Sequence, residues 1–137
     1  AQRITNHPEL GRRLFWHQSP SDMQLRRLYQ NAHCLIAASF DEGFGLPLIE
    51  ASREGLHVMA RNIPVFKEVA AENATLFDAN SPAELASAIE HWLTAYNQGS
   101  LPPPGEIPWQ TWEQSARQLM DRLRLNGMVA SKNRQLH

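Results

Sequence analysis

The nearly all-apolar run Cys34 to Ala38 leads directly into Ser39-Phe40-Asp41-Glu42-Gly43-Phe44-Gly45, and an amphipathic segment, Pro47 to Glu54, leads out and stops at Gly55. The order is strand, glycine loop, helix. Gly43 and Gly45 can take backbone angles closed to other residues and let a ligand approach the main chain, while Pro47 suits the first helical position. The N–H groups around Gly45, Leu46 and Leu48 are then expected to point outward with the positive end of the helix dipole, a site suited to phosphate. Pro47 itself donates nothing. Glu42 ends the strand-side loop and Glu50 lies about one turn into the helix, so both carboxylates can border one cleft and accept paired hydrogen bonds from the hydroxyls of ribose or hexose.

Glu42-Gly43-Phe44-Gly45-Leu46-Pro47-Leu48-Ile49-Glu50 resembles the Glu-x7-Glu signature of retaining, nucleotide-sugar-dependent glycosyltransferases built from two Rossmann-like domains (the GT-B fold). This group includes bacterial mannosyltransferases, sucrose synthases and glycogen synthases. The resemblance extends to the segments before and after the signature and covers roughly residues 12 to 124. It implies a fold: an α/β, Rossmann-like parallel sheet with helices on both faces, the carboxyl-terminal half of a GT-B enzyme truncated at its amino-terminal side.

The resemblance also implies roles. Glu42, the catalytic candidate, would contact hydroxyls of the transferred sugar as a positioning group rather than a covalent nucleophile. The amides of Gly43, Phe44, Gly45 and Leu46 would hold the sugar and diphosphate, Glu50 would bind the ribose, and the loop from Ser19 to Ser21 would touch the base. The donor would be a GDP- or UDP-hexose, with no prosthetic group and no metal. The acceptor, a saccharide or lipid-linked glycan, would bind a missing amino-terminal domain. An upstream loop with an Arg and a Lys that neutralise the diphosphate should precede residue 1, so this chain alone is expected to have little or no transferase activity. Ala38-Ser39, where many relatives have Pro-Ser, and Arg53 to His57, where a small-residue turn is common, depart from the pattern and leave the donor sugar open. A plain strand-to-helix turn, with Glu50 serving only the helix dipole, is the simpler reading. Two glutamates at this spacing, with matching flanks, put the functional reading ahead of it.

Elsewhere, periodicity supports the same architecture. Leu14-Phe15-Trp16, Cys34 to Ala38, His57 to Ala60 and Thr75 to Phe77 read as four strands, with Cys34 to Ala38 buried on both faces. A helix from Asp22 to Ala32 starts at a capping box, Ser21 to Gln24, and Pro64 opens a short helix carrying Phe66, Val69 and Ala70. Ser81 to Glu84 and Thr111 to Gln114 are further boxes, each followed by an apolar stripe. Alternating strands and helices imply right-handed crossovers and a parallel sheet. The expected organisation is a partial nucleotide-sugar-binding Rossmann-like domain over 1–98, a proline-rich linker over 99–108, a carboxyl-terminal helix of the same domain over 109–125 and a polar tail over 126–137.

Composition bounds the alternatives. The 137 residues are 42% hydrophobic and 20% charged, with a net charge of −1, which fits a globular domain without the basic excess of a nucleic-acid surface. Cys34, the lone cysteine, can form no internal disulfide and reads as a core residue. The six histidines show no metal-ligand spacing, and His17, at a ligand-side strand end, reads first as a surface loop residue. Trp92 and Trp112 fall on apolar helix faces and read as core rather than as a sugar-stacking platform. Ser39 has no acid–base partner, and Gly43-Phe44-Gly45 is not a nucleophile elbow. With no bilayer-length apolar run and no secretory signal, the cytosol is the expected compartment, and the full protein has room for peripheral association with the inner membrane face. The chain lacks an initiating Met and reads as a fragment of something longer. A noncatalytic sugar-nucleotide-binding or scaffolding module is the rival reading; an epimerase or phosphorylase fits the glutamate signature less well.

Overall fold

The computed structural model describes residues 2–133, which divide after Ile107 into two compact units. The first contains α1 (Gln2–Thr5), α2 (Asp22–Asn31), β1 (Cys34–Ala37), α3 (Leu46–Arg53), β2 (His57–Arg61), α4 (Pro64–Ala70), β3 (Thr75–Phe77) and α5 (Pro82–Asn97). Its strands form one parallel sheet in the order β1-β2-β3, with Cys34 opposite His57, Ile36 opposite Met59 and Arg61 opposite Phe77. Parallel neighbours need a crossover connection, and α3 and α4 supply the two.

Alternation along β2 divides the core between two faces. Val58 and Ala60 pack on one side with Leu48, Ile49 and Ala51 of α3 and Phe66 and Ala70 of α4. Met59 packs on the other with Phe77, Ala79 and Trp92, edged by Leu85, Ala88 and Ile89 of α5. Helices therefore cover both faces of a Rossmann-like parallel sheet. Phe66, Leu48 and Met59 are among the largest fully buried side chains, and enclosing each contributes about 1.5–3 kcal/mol.

Leu14-Phe15-Trp16 does not form the expected fourth strand. The Leu14 amide donates to the Glu9 carbonyl at 2.9 Å and the Gly11 amide to the Leu14 carbonyl at 2.8 Å, closing a tight local turn. Those groups are spent inside the turn instead of on a neighbouring strand, and Phe15 and Trp16 remain exposed. β1 is consequently an outer strand among the described residues. Its Ile36 is 40% exposed, which corrects the expectation of burial on both faces.

The helix starts follow the capping chemistry closely. Ser21 and Gln24 form the full reciprocal box at α2. At α5 the Ser81 hydroxyl accepts from the Glu84 amide, but the Glu84 carboxylate accepts from Asn80 N–H at 2.6 Å rather than from Ser81. The proline-rich stretch is extended, as its composition requires, yet it is docked. Ile107 is fully buried in the core beside α3 and α4, and the Ser52 hydroxyl donates to the Gly105 carbonyl at 3.2 Å and accepts from the Ile107 amide at 2.7 Å.

The second unit is α6 (Trp112–Asn133), opened by a reciprocal box in which Thr111 N–H donates to Gln114 Oε1 and Gln114 N–H to Thr111 Oγ1. It continues past residue 125, into the stretch expected to be a polar tail, because no proline interrupts it and one interior glycine costs only about 1 kcal/mol. Residues 134–137 of that expected tail lie outside the described residues. Trp112, expected in a core, is 93% exposed.

Candidate functional site

The loop between β1 and α3 lies at the carboxyl edge of the sheet, where ligands gather in open α/β folds. Gly45 caps α3 in the left-handed region, at φ +76°, and a Cβ there would stand 3.3 Å from Phe66 Cδ1. The conformation favours glycine, and the space beside Phe66 is tight for a side chain. Gly43 is different: it has no positive φ, and a Cβ added to it would meet nothing within 4 Å. The fold itself does not demand a glycine there.

α3 begins at Leu46, so Pro47 takes the second helical position. The Leu48 amide donates back to the Gly45 carbonyl at 3.0 Å and is not free, contrary to expectation. Among the described residues, the amides of Gly43, Phe44, Gly45 and Leu46 have no acceptor, whereas that of Glu42 donates to Asp41 Oδ1 at 3.0 Å. Phe44 and Leu46 are well exposed, and Leu48 and Ile49 turn inward to the core.

Glu50, one turn further on, lines a cleft of about 340 Å³ between α2 and α3, together with Leu25, Arg26, Tyr29 and Glu54. The Tyr29 hydroxyl donates to Glu50 Oε2 at 3.2 Å. Burial, then the nearby Glu50 charge and this hydrogen bond, push the Tyr29 phenol up to about 12. At the far end of the cleft Glu54 pairs with Arg26 at 2.8 Å and accepts from Gln30 Nε2 at 2.9 Å. Tyr29 falls within the helix expected from the sequence over Asp22 to Ala32. No spacing rule links it to a glutamate in another element, so only the fold reveals the pair.

Glu42 stays in the exposed loop and does not line this cleft. Ser19 is exposed in the loop before α2. Ser21 is already engaged: its hydroxyl accepts from the Gln24 amide at 3.4 Å and donates to Gln24 Oε1 at 3.2 Å. The structure thus puts the free amides at the start of α3 and Glu50 in the cleft against α2 one turn on, with Glu42 on the loop before them. Among the described residues no group of three His, Cys, Asp or Glu is placed to hold a metal, and no helix is long and apolar enough to cross a membrane.

The residue pattern defining the family described as "Glycosyl transferases group 1" matches residues 2–99. The chain belongs to that family. It is 48% identical over 122 residues to the serotype-specific mannosyltransferase WbdA of Escherichia coli, an alignment covering 89% of this chain and 15% of that protein. The O-antigen chain mannosyltransferase RfbU of Salmonella typhimurium is 38% identical over 68 residues, 50% of this chain and 19% of its own. A GDP-mannose:cellobiosyl-diphosphopolyprenol alpha-mannosyltransferase of Xanthomonas oryzae is 42% identical over 55 residues, 40% of this chain and 14% of its own. The chain thus spans about one seventh of the length of WbdA. The strand-loop-helix unit described above lies wholly inside the part that defines the group 1 glycosyl transferases.

Proposed function

We propose that this chain is the donor-binding part of a retaining hexosyltransferase that takes GDP-mannose and extends a cell-surface polysaccharide of the O-antigen kind. The observation that carries the reading is the run of unpartnered amides from Gly43 to Leu46, placed between Glu42 and the Tyr29-supported carboxylate of Glu50. Mannosyl transfer is supported by the names of the relatives, and the guanine nucleotide by that of the Xanthomonas relative.

The reaction breaks a sugar–oxygen bond while negative charge grows on the leaving diphosphate. Fixed amides and the amino-terminal dipole of α3 stabilise that charge without reorganising. Glu50 accepts from the ribose hydroxyls, Glu42 orients hydroxyls of the sugar, and the Ser19–Ser21 loop borders the base, with the backbone rather than the engaged Ser21 hydroxyl facing it. Retention places the acceptor on the face from which the diphosphate departs. The acceptor site and the basic groups that neutralise the diphosphate come from the rest of the protein, acting at the cytoplasmic face of the membrane.

Calorimetric titration of the intact protein with GDP-mannose, UDP-glucose and ADP-glucose tests this. GDP-mannose should bind selectively, and Glu50→Ala should weaken it at least tenfold. The absence of binding by any donor refutes the reading. Binding without transfer to polysaccharide, in the parent as in Glu42→Ala, identifies a noncatalytic binding module instead.

A further inference from the structure

Arg61 is the last residue of β2 and is 8% exposed. A buried guanidinium ordinarily has a carboxylate beside it, because removing its charge from water is costly. Among the described residues, Arg61 forms no ion pair. Its Nε donates to the Ala38 carbonyl at 3.0 Å and one terminal nitrogen donates to the Ala79 carbonyl. Ala38 follows β1 and Ala79 follows β3, so one side chain ties together the carboxyl ends of all three strands.

The guanidinium also lies over an aromatic ring of the donor loop. Its central carbon is 3.8 Å from the centroid of the Phe40 ring, while Phe40 itself is 69% exposed. An exposed phenylalanine has no hydrophobic reason to hold one orientation, and the cation beneath it supplies one. Arg61 therefore grips the loop within its first three residues, through the Ala38 carbonyl and the Phe40 ring. At the loop's other end Gly45 is seated against Phe66. Glu42 and the amides of Gly43 and Phe44 hang between these two fixed points.

We propose that Arg61 is a positioning residue for the phosphate- and sugar-binding loop, acting through Ala38 and Phe40 without touching the donor. The inference rests on the donor-site reading and adds to it a division of labour. Glu50, on α3, serves the nucleoside; Arg61 serves the diphosphate and sugar, through the loop it holds. Lysine keeps the charge but cannot span two carbonyls and stack on a ring, so it should not replace arginine here.

The test is a set of dissociation constants for GMP, GDP and GDP-mannose, measured on the intact protein carrying Arg61→Lys, Arg61→Met, Phe40→Ala or Glu50→Ala. A parallel series uses UMP, UDP and UDP-glucose. Arg61→Lys and Arg61→Met should weaken GDP-mannose tenfold or more while GMP binding stays within twofold of the parent. Phe40→Ala, at an exposed position that spares the fold, should shift binding in the same direction, and combining it with Arg61→Met should add little. Glu50→Ala should weaken all three ligands of a series together. Unchanged GDP-mannose affinity in Arg61→Met and Phe40→Ala overturns the proposal. So does an equal loss of GMP and GDP-mannose binding in either variant, which would mark general damage to the fold. If Glu50→Ala also changes nothing, or the parent binds neither series, the donor-site reading itself is wrong and this inference falls with it.

Discussion

The Tyr29 hydroxyl, on α2, donates to the carboxylate of Glu50, on α3, at 3.2 Å. It holds one carboxylate oxygen toward the cleft and leaves the other available to a ligand. Tyr29→Phe removes the donor and little volume. It should weaken nucleotide binding by about 1 kcal/mol, about fivefold in dissociation constant, with the melting temperature nearly unchanged. Titration of the intact variant with GDP checks this, and an unaltered constant would remove Tyr29 from the site.

Alkaline pH should act through two groups. Burial first of all raises Tyr29 from 10 to about 12, and burial raises Cys34 from 9 to about 11. Both groups are held neutral in the folded state, with folded values above the unfolded ones. Their contribution to stability is fully present below about pH 9 and is lost as pH climbs through 9 to 12. Urea unfolding across this range should show the decline, and Tyr29→Phe should flatten the part above pH 10. Near neutrality the Cys34 thiol should resist alkylation in the native protein, since the thiolate is the reactive form.

The two loop glycines should respond oppositely to alanine. Gly45→Ala forces a side chain into the left-handed region and against Phe66, which costs roughly 1–2 kcal/mol from conformation alone and should lower the melting temperature by several degrees. Gly43→Ala meets no protein atom within 4 Å; stability should change by less than about 0.5 kcal/mol, while donor affinity falls because the methyl occupies ligand space. Full donor affinity in Gly43→Ala would show that no ligand approaches that carbon.

Ser52→Ala deletes the hydroxyl that bridges the Gly105 carbonyl and the Ile107 amide. A buried amide left without an acceptor costs about 1–3 kcal/mol. Ile107→Ala removes a fully buried side chain and should cost about 2–5 kcal/mol. Denaturant midpoints of the two variants measure both, and the Ser52 effect should shrink in the Ile107→Ala background, since the two act on one attachment.

Two of the capping boxes were legible because their chemistry is local in sequence. Ser21 with Gln24 and Thr111 with Gln114 sit three residues apart, and both boxes form as read. The parallel sheet followed from apolar strands alternating with amphipathic segments, and the family from the stretch Glu42 to Glu50. Two contacts that escaped are ones that only the fold brings together. Tyr29 meets Glu50, and Arg61 meets Ala38 and Ala79, across separations that no periodicity encodes. Leu14 to Trp16 had the composition of a strand, but the turn at Gly11 used the hydrogen bonds of Leu14 first. The first turn of a helix usually leaves its amides free, and at Leu48 the Gly45 carbonyl claims the one expected there.

The docking of Ile107 has a practical consequence for where this protein can be cut. The family pattern ends at residue 99, and the composition also changes there, so both invite a truncation at Gly99. The compact unit, however, runs to Ile107. A chain trimmed at the family boundary would lose the plug from the core beside α3 and α4 and strand the Ser52 hydroxyl, on the helix that carries Glu50. The family pattern and the folding unit end eight residues apart, and a minimal piece that keeps its ligand helix in place has to follow the folding one.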